Sequence, residues 1–103
     1  MRVLVTARHV AATKAIQDYA RDKAGRLEHL FEGLRLVGVT LDVGRKGHAG
    51  QTAEFLAHIT GGGLCVARAK GKLLYEAIDE AEAKLQGQLR RRKARLRRRR
   101  PDA

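Results

Sequence analysis

The side chains most able to do chemistry in this sequence are cationic, and they gather towards its C-terminal end. Residues 90–103 hold nine lysines and arginines and one acid, Asp102, a charge of +8 (9 − 1). Residues 1–89 hold thirteen basic and ten acidic residues, or +3 (13 − 10), within a total of +11. Clustered cations attract polyanions, so this end predicts a partner such as RNA, DNA or an anionic membrane surface.

Part of this basic stretch follows the spacing of one side of a helix. The residues that recur at steps of three or four are Lys84, Gln88, Arg91 and Arg95. A guanidinium bonds two phosphate oxygens at once, which suits arginine to phosphate. A merely solvated face is a weak explanation for residues 90–100, because like charges at i,i+4 destabilise a free helix. An anionic partner would offset that repulsion.

A second, shorter basic row lies in an earlier helical pattern, where Lys23, Arg26 and His29 flank the apolar positions. A phosphate-binding surface and an ordinary solvated face are equally compatible with these three residues. If the two helices pack side by side on a sheet, the two rows would form one basic surface.

Residue types that support catalysis or hold metals are scattered along the chain. Cys65 is the single cysteine, and we interpret it as a buried strand residue, not a reactive thiol. Four histidines fall in four different predicted elements, without the short ligand spacing of a zinc site. They are His9, His29, His48 and His58. We therefore predict that the protein is not an enzyme and needs neither a metal nor a cofactor.

Two further patterns that resemble ligand sites have simpler explanations. Gly61-Gly62-Gly63 lacks the Lys-Ser/Thr of a phosphate-binding loop and precedes a strand, so it predicts a turn. Four carboxylates crowd the start of the second helix, where they complement the helix dipole. They are Glu76, Asp79, Glu80 and Glu82.

Length and composition favour one small folded domain. The chain has 103 residues, of which 44% are hydrophobic, enough for a single core. No apolar run approaches the ~20 residues of a membrane span. The N-terminus lacks the pattern of a signal peptide, and a lone cysteine fits a reducing compartment, so we expect a cytoplasmic protein. We also expect it to be a monomer when it is off its partner.

The hydrophobic pattern predicts six elements in the order β-α-β-β-β-α. The predicted strands are 2–7, 35–44, 51–60 and 64–69, and the predicted helices are 13–31 and 72–98. Thr13 is a candidate N-cap for the first helix. The apolar stripe of the second helix thins after Leu89, so we expect that helix to leave the body there and enter solvent.

These elements imply an α+β fold, a four-stranded sheet with two helices packed on one face. One face of the sheet would be apolar, with Val37, Val39, Leu41 and Val43 on the second strand, and the other face solvated. We divide the chain into a domain over residues 1–92 and an Arg-rich basic extension over residues 93–103.

The second helix also carries a family resemblance. Ala69-Lys70-Gly71, Tyr75-Glu76-Ala77-Ile78-Asp79, Lys84-Leu85, Gln88-Leu89 and Lys93 resemble the signature of the ribosome hibernation promoting factor family, which includes proteins once called sigma-54 modulation proteins. The N-terminal half is similar to the family's first strand and helix, and the resemblance covers about residues 1–95. The family fold it implies has the same element order as the one predicted above.

The resemblance implies a protein that binds small-subunit rRNA in the mRNA channel, across the A and P sites, and blocks translation by occlusion in stationary or stressed cells. It carries the rRNA contacts onto Lys23, Arg26, Lys84, Arg91 and Arg92, and onto His29, where relatives often have lysine. Leu73 departs from the family, which often has an acid there, and puts the cap of the second helix in doubt.

The chain ends without the second domain of the family's long form and without the acidic tail of its inhibitor branch. It resembles the short form, which is implicated in dimerising ribosomes with a separate small factor, so such a factor is a second expected partner. A general RNA- or DNA-binding module with a nonspecific basic tail stays open as the alternative.

Overall fold

The computed structural model describes residues 1–8, 12–42 and 50–99, and of residues 97–99 only the backbone. It contains β1 (Arg2–Arg8), α1 (Lys14–Leu30), β2 (Leu34–Asp42), β3 (Gln51–Ile59), β4 (Gly63–Gly71) and α2 (Leu74–Arg99). This order confirms the predicted β-α-β-β-β-α arrangement. His9, Val43, residues 46–49 with His48, and residues 100–103 lie outside the described residues.

The four strands form one sheet in the order β1-β2-β3-β4. β1 pairs with β2 in parallel, and β2–β3 and β3–β4 are antiparallel pairs. The parallel pair requires a long crossover, which α1 supplies, whereas the antiparallel strands β3 and β4 need only a tight turn. Gly61 and Gly62 make that turn with φ values of 89° and 86°, a conformation that side chains disfavour. The glycine run is therefore a turn, as predicted.

Both helices pack on the same face of the sheet, α1 against β1 and β2, and α2 against β3 and β4. The strands alternate between this covered face and an open one. Phe55 and Ile78 meet in the core between α2 and the sheet, and each is fully buried. Cys65 is 8% exposed on β4, which confirms it as a buried strand residue.

The helix ends follow from local chemistry. The Thr13 hydroxyl accepts a hydrogen bond from the Ile16 amide at 3.2 Å, which confirms the predicted N-cap of α1. At the start of α2, where Leu73 replaces the expected acid, the Glu76 carboxylate accepts a hydrogen bond from the Lys72 amide at 3.2 Å and so ties the preceding turn to the helix. Of the four carboxylates assigned to the helix dipole, Glu76 alone lies in the first turn, where that effect operates.

α2 extends well beyond the part that covers the sheet. Leu89 is fully buried, whereas Leu96 is 51% exposed, so the apolar stripe ends where the sequence predicted. The ten residues from 90 to 99 add ~15 Å of helix past that point. The helix crosses residue 92 without a break, so no change of backbone marks the predicted division between domain and extension.

Candidate nucleic-acid interface

The outer flank of α2 runs along the edge strand β4 and carries the row predicted from helical spacing. Lys84 Nζ donates to the Arg68 carbonyl at 3.1 Å, and Gln88 Nε2 donates to the Val66 carbonyl at 2.8 Å. Arg91 and Arg95 continue this flank and are exposed. We call these four residues on α2 (Lys84, Gln88, Arg91 and Arg95) the outer row.

The outer row has two parts with different roles. Lys84 and Gln88 direct their hydrogen bonds to β4, and Lys84 also lies 3.9 Å from Glu80, so they join the helix to the sheet. Arg91 and Arg95 make no ion pair with any residue that the structure describes. Their guanidinium groups are therefore the members of the row best placed to bind a ligand from solvent.

Arg92 behaves differently from its neighbours. Its guanidinium packs so close to Gly63 that a Cβ on that glycine would overlap it, and Arg92 Nε is buried without a hydrogen-bond partner among the described groups. A bare backbone at the β3–β4 hairpin makes room for this contact. Arg92 therefore attaches the start of the projecting helix to the body, a role that spacing alone did not reveal.

The first-helix row lies elsewhere. Lys23 faces the groove between the helices, with Nζ 3.4 Å from Asp79 on α2, whereas Arg26 and His29 are exposed. Asp79 and Lys84 are five residues apart, which places them ~140° apart around α2. The row on α1 therefore faces one flank of α2, and the outer row lies on the opposite flank. The two rows do not form the single surface that side-by-side packing had suggested.

The groove between the helices holds a polar and aromatic cluster, the inner cluster, made of Tyr19, Lys23, Tyr75 and Asp79. The Tyr19 hydroxyl donates a short hydrogen bond to Asp79, and its ring meets Tyr75 edge-on at a centroid distance of 4.9 Å. Lys23 Nζ lies 5.6 Å from the centre of the Tyr19 ring. Because Lys23 is engaged in these contacts, it binds the helices together as well as carrying charge.

Farther along the same groove lies a carboxylate that sequence reasoning misplaced. Glu82 is 6% exposed and accepts a hydrogen bond from Gln86, whose side-chain oxygen accepts from Arg90 at 3.2 Å. A helical wheel gives the available signal, since Glu82 falls ~40° from Ile78 and ~20° from Leu89, at the edge of the buried stripe. These hydrogen bonds compensate for the charge of the Glu82 carboxylate, which would otherwise be costly to bury.

The inner cluster makes a testable prediction about pH. The hydrogen bond to Asp79, followed by burial, raises the pKa of Tyr19 above its ordinary 10.0. Since the folded pKa is raised, the stabilisation is fully present below pH 10 and is lost as the pH rises through the higher folded value. We expect NMR titration of the Tyr19 ring carbon bearing the hydroxyl to show a midpoint above 10.0, and Asp79→Asn to lower it. An unchanged midpoint in Asp79→Asn would show that the bond is not made in solution.

Within the ranges that the structure describes, no three side chains of His, Cys, Asp or Glu come together as metal ligands. Neither described helix combines the length and the apolar character needed to cross a bilayer. The described residues provide electrostatic attraction, because residues 83–99 of α2 hold nine cations and no acid. A helix with this charge attracts polyanions such as phosphate chains.

Comparison with known proteins points the same way. A model of the family described as "Sigma 54 modulation protein / S30EA ribosomal protein" matches residues 3–97. The chain is 33% identical over 96 residues to a ribosome hibernation promoting factor of Salmonella typhimurium, covering 93% of this chain and 97% of the relative. It is also 33% identical over 93 residues to that of Pseudomonas putida, covering 90% and 87%.

Two solved structures share the fold. The Protein Y N-terminal domain of Thermus thermophilus superposes with a TM-score of 0.75 at 30% identity, over 88% of this chain and 98% of that domain. A ribosomal subunit interface protein of Coxiella burnetii gives a TM-score of 0.77 over 91% and 99%, and at 17% identity it supports the fold alone.

Proposed function

We propose that this chain, which belongs to the Sigma 54 modulation protein / S30EA ribosomal protein family, is a ribosome hibernation factor. It would bind small-subunit rRNA in the mRNA channel near the A and P sites. Its relatives are named for ribosome hibernation, and none of those names denotes an enzyme. The proposed mechanism is occlusion, in which the bound protein fills space that mRNA and tRNA need.

The observation that carries the proposal is the acid-free, cationic length of α2 that is anchored to the sheet. Arg91 and Arg95 are exposed, while Lys84 and Arg92 hold the helix against β4 and the hairpin. Anchoring removes part of the entropy cost of binding, because the cations are already held in one row. Phosphates along an RNA groove would bind this row, with Arg26 and His29 as a second contact on α1.

The remaining partners follow from the same premise. A chain with this fold that acts on ribosomes would work in the cytoplasm, as a monomer off the ribosome. Dimerisation of ribosomes through a separate small factor is the finer proposal, and it is tested by adding such a factor to ribosomes saturated with this protein and following dimers by sedimentation.

The alternative is a general RNA- or DNA-binding module, and the run of cations from residue 90 onward favours it as much as it favours a ribosome-specific protein. Salt dependence does not separate the two, because about six phosphate contacts give a log–log slope near −4 to −5 for either. Competition does, since excess tRNA or duplex RNA displaces a nonspecific binder far more readily than a ribosome-specific one.

The test is a sedimentation and translation experiment with the full chain. We expect the protein to travel with small subunits at a ratio near one, to inhibit in vitro translation, and to stay bound in excess tRNA. Translation unchanged at stoichiometric excess and low salt, with no protein in the subunit fraction, would overturn the proposal. Ready displacement by tRNA would support the general module instead.

A further inference from the structure

The open face of the sheet, turned away from both helices, is split into two halves of different chemistry. The strand register places five aliphatic side chains around Gly38 at the hairpin end. This apolar half consists of Leu4, Leu36, Leu56, Leu64 and Val66. Three of them are well exposed: Leu64 at 53%, Leu4 at 50% and Val66 at 41%. A contiguous exposed patch of this kind marks an interaction site more often than isolated apolar residues do.

The other half of the open face contains a matched pair of charges. Glu54 and Arg68 face each other across β3 and β4 and form an ion pair, with Arg68 Nε 3.1 Å from the carboxylate. Thr6 and Thr40 complete that row across the sheet. Glu54 and Arg68 thus satisfy each other, and the row resembles an ordinary solvated surface.

The cations beside the apolar half are not matched in this way. Arg2, Arg35 and His58 line a shallow hollow of ≈ 600 Å³ together with Leu36 and Leu64. None of these three cationic or titratable residues pairs with an acid among the residues that the structure describes. The hollow therefore offers an aliphatic floor and a positive rim.

Beside this hollow, the rest of the apolar half is broad and open around Gly38. Gly38 pairs with Leu4 on one side and Leu56 on the other, and a Cβ built on it would meet nothing within 4 Å. The centre of the patch is thus a depression between leucines. Four strands at ~4.8 Å spacing make the patch about 14 Å wide, enough for a short extended segment of another chain.

We propose that the apolar half docks a segment of a partner protein whose side chains alternate between apolar and acidic. The apolar side chains would enter the depression around Gly38, and the acidic ones would pair with Arg2 and Arg35, with His58 beside them. Contacts with the apolar half supply most of the binding, because removing leucine side chains from water is favourable in proportion to the apolar area that is buried. The positively charged rim favours acidic side chains over basic ones, because a basic side chain would be held close to charges of its own sign.

Single-stranded RNA is the occupant that this face fits less well. Bases bind to open surfaces chiefly by stacking on aromatic rings. All four aromatic residues lie elsewhere: Tyr19 and Tyr75 meet between the helices, and Phe31 and Phe55 are buried in the core. The apolar half lies on the face opposite α1 and α2, so RNA bound to α2 would not cover it. The docking proposal therefore does not depend on the proposed function.

NMR of the isotope-labelled full chain tests the proposal with three probes: a short peptide of alternating glutamate and leucine, the same peptide with lysine for glutamate, and an oligouridine. We expect the acidic peptide to shift the methyl signals of the apolar half and the lysine peptide to leave them unchanged. Leu64→Gln should weaken the acidic peptide at least ~10-fold, because a polar side chain at the floor buries less apolar surface. Leu96→Gln is the matched control, since that leucine is as exposed (51%) but lies on α2.

Three outcomes would overturn the proposal. Oligouridine shifts centred on the apolar half would make it an RNA surface. No shift with either peptide would make it a solvated face, and equal shifts with both would show that the rim does not select acids. The signals of α1 and α2 in Leu64→Gln, unchanged from the parent protein, report that the variant is folded.

Discussion

Replacing Arg91 and Arg95 together by glutamate is expected to weaken binding to small ribosomal subunits by on the order of 100-fold at moderate salt, since each charge-assisted hydrogen bond is worth about 1.5–3 kcal/mol. Both side chains are exposed and make no ion pair within the described part of the chain, so the fold does not depend on them. Affinity would be measured by sedimentation, and folding by circular dichroism.

The matched control reverses the same number of charges on the other helix. Lys14 and Arg21 lie 3.2 Å and 3.5 Å from Asp18 on α1, away from the outer row. Lys14→Glu with Arg21→Glu changes the net charge equally, and we expect it to weaken binding far less. Equal losses of affinity in the two double variants would mean that net charge alone governs binding and would remove the outer row from the interface.

The salt dependence sharpens this comparison. Each phosphate that the protein no longer neutralises reduces the log–log slope by about 0.7 to 0.9. The Arg91→Glu, Arg95→Glu variant should therefore show a slope shallower by about 1.5 than the parent protein. A steep slope that survives the substitutions would assign the phosphate-binding role to cations other than Arg91 and Arg95.

Replacing Leu85 by alanine is expected to destabilise the protein by about 2–5 kcal/mol, which is the usual cost of truncating a buried leucine. Leu85 is fully buried on α2 within the core cluster. A domain of this size is stable by only about 5–15 kcal/mol, so the variant loses a large part of its stability. Urea denaturation followed by circular dichroism gives the free energy of unfolding.

The same helix provides the control. Leu96→Ala makes the identical change at a leucine that is 51% exposed, and we expect a change within about 0.5 kcal/mol. If both variants lost stability equally, the portion of α2 past Leu89 would be packed against the body in solution and not projecting from it.

The sequence was enough for the elements and the buried faces, because these depend on local chemistry. Thr13 caps α1 through an amide three residues away, and alternation along β2 places Val37 and Val39 in the core. The end of the stripe at Leu89 is likewise a matter of spacing along one helix. The direction in which the strands pair was not predicted, because the parallel pairing of β1 with β2 depends on where α1 carries the chain.

The sequence indicated the candidate site residues and their chemical types, but not which residues each of them contacts. Spacing placed Lys23 and Lys84 on helix faces, yet the partner of Lys23 is Asp79 on the other helix, and Lys84 bonds a strand carbonyl. Tyr19 and Asp79 are 60 residues apart, so their hydrogen bond depends on how the helices pack on the sheet. The family resemblance made Arg92 an expected rRNA contact, and nothing local reveals that it packs on Gly63.

The bonds from Lys84 and Gln88 to β4 also bear on self-association. An edge strand with unpaired carbonyls is a template for adding a strand of another copy, the first step of fibril growth. The carbonyls of Val66 and Arg68 already hold side-chain donors from α2, so a strand arriving at β4 would have to displace them. At the opposite edge, β1 begins and ends with arginines, Arg2 and Arg8, whose charges repel an identical strand laid in register. The helix that carries the positive charge thus also covers part of this sheet edge, which disfavours growth of the sheet by strand addition.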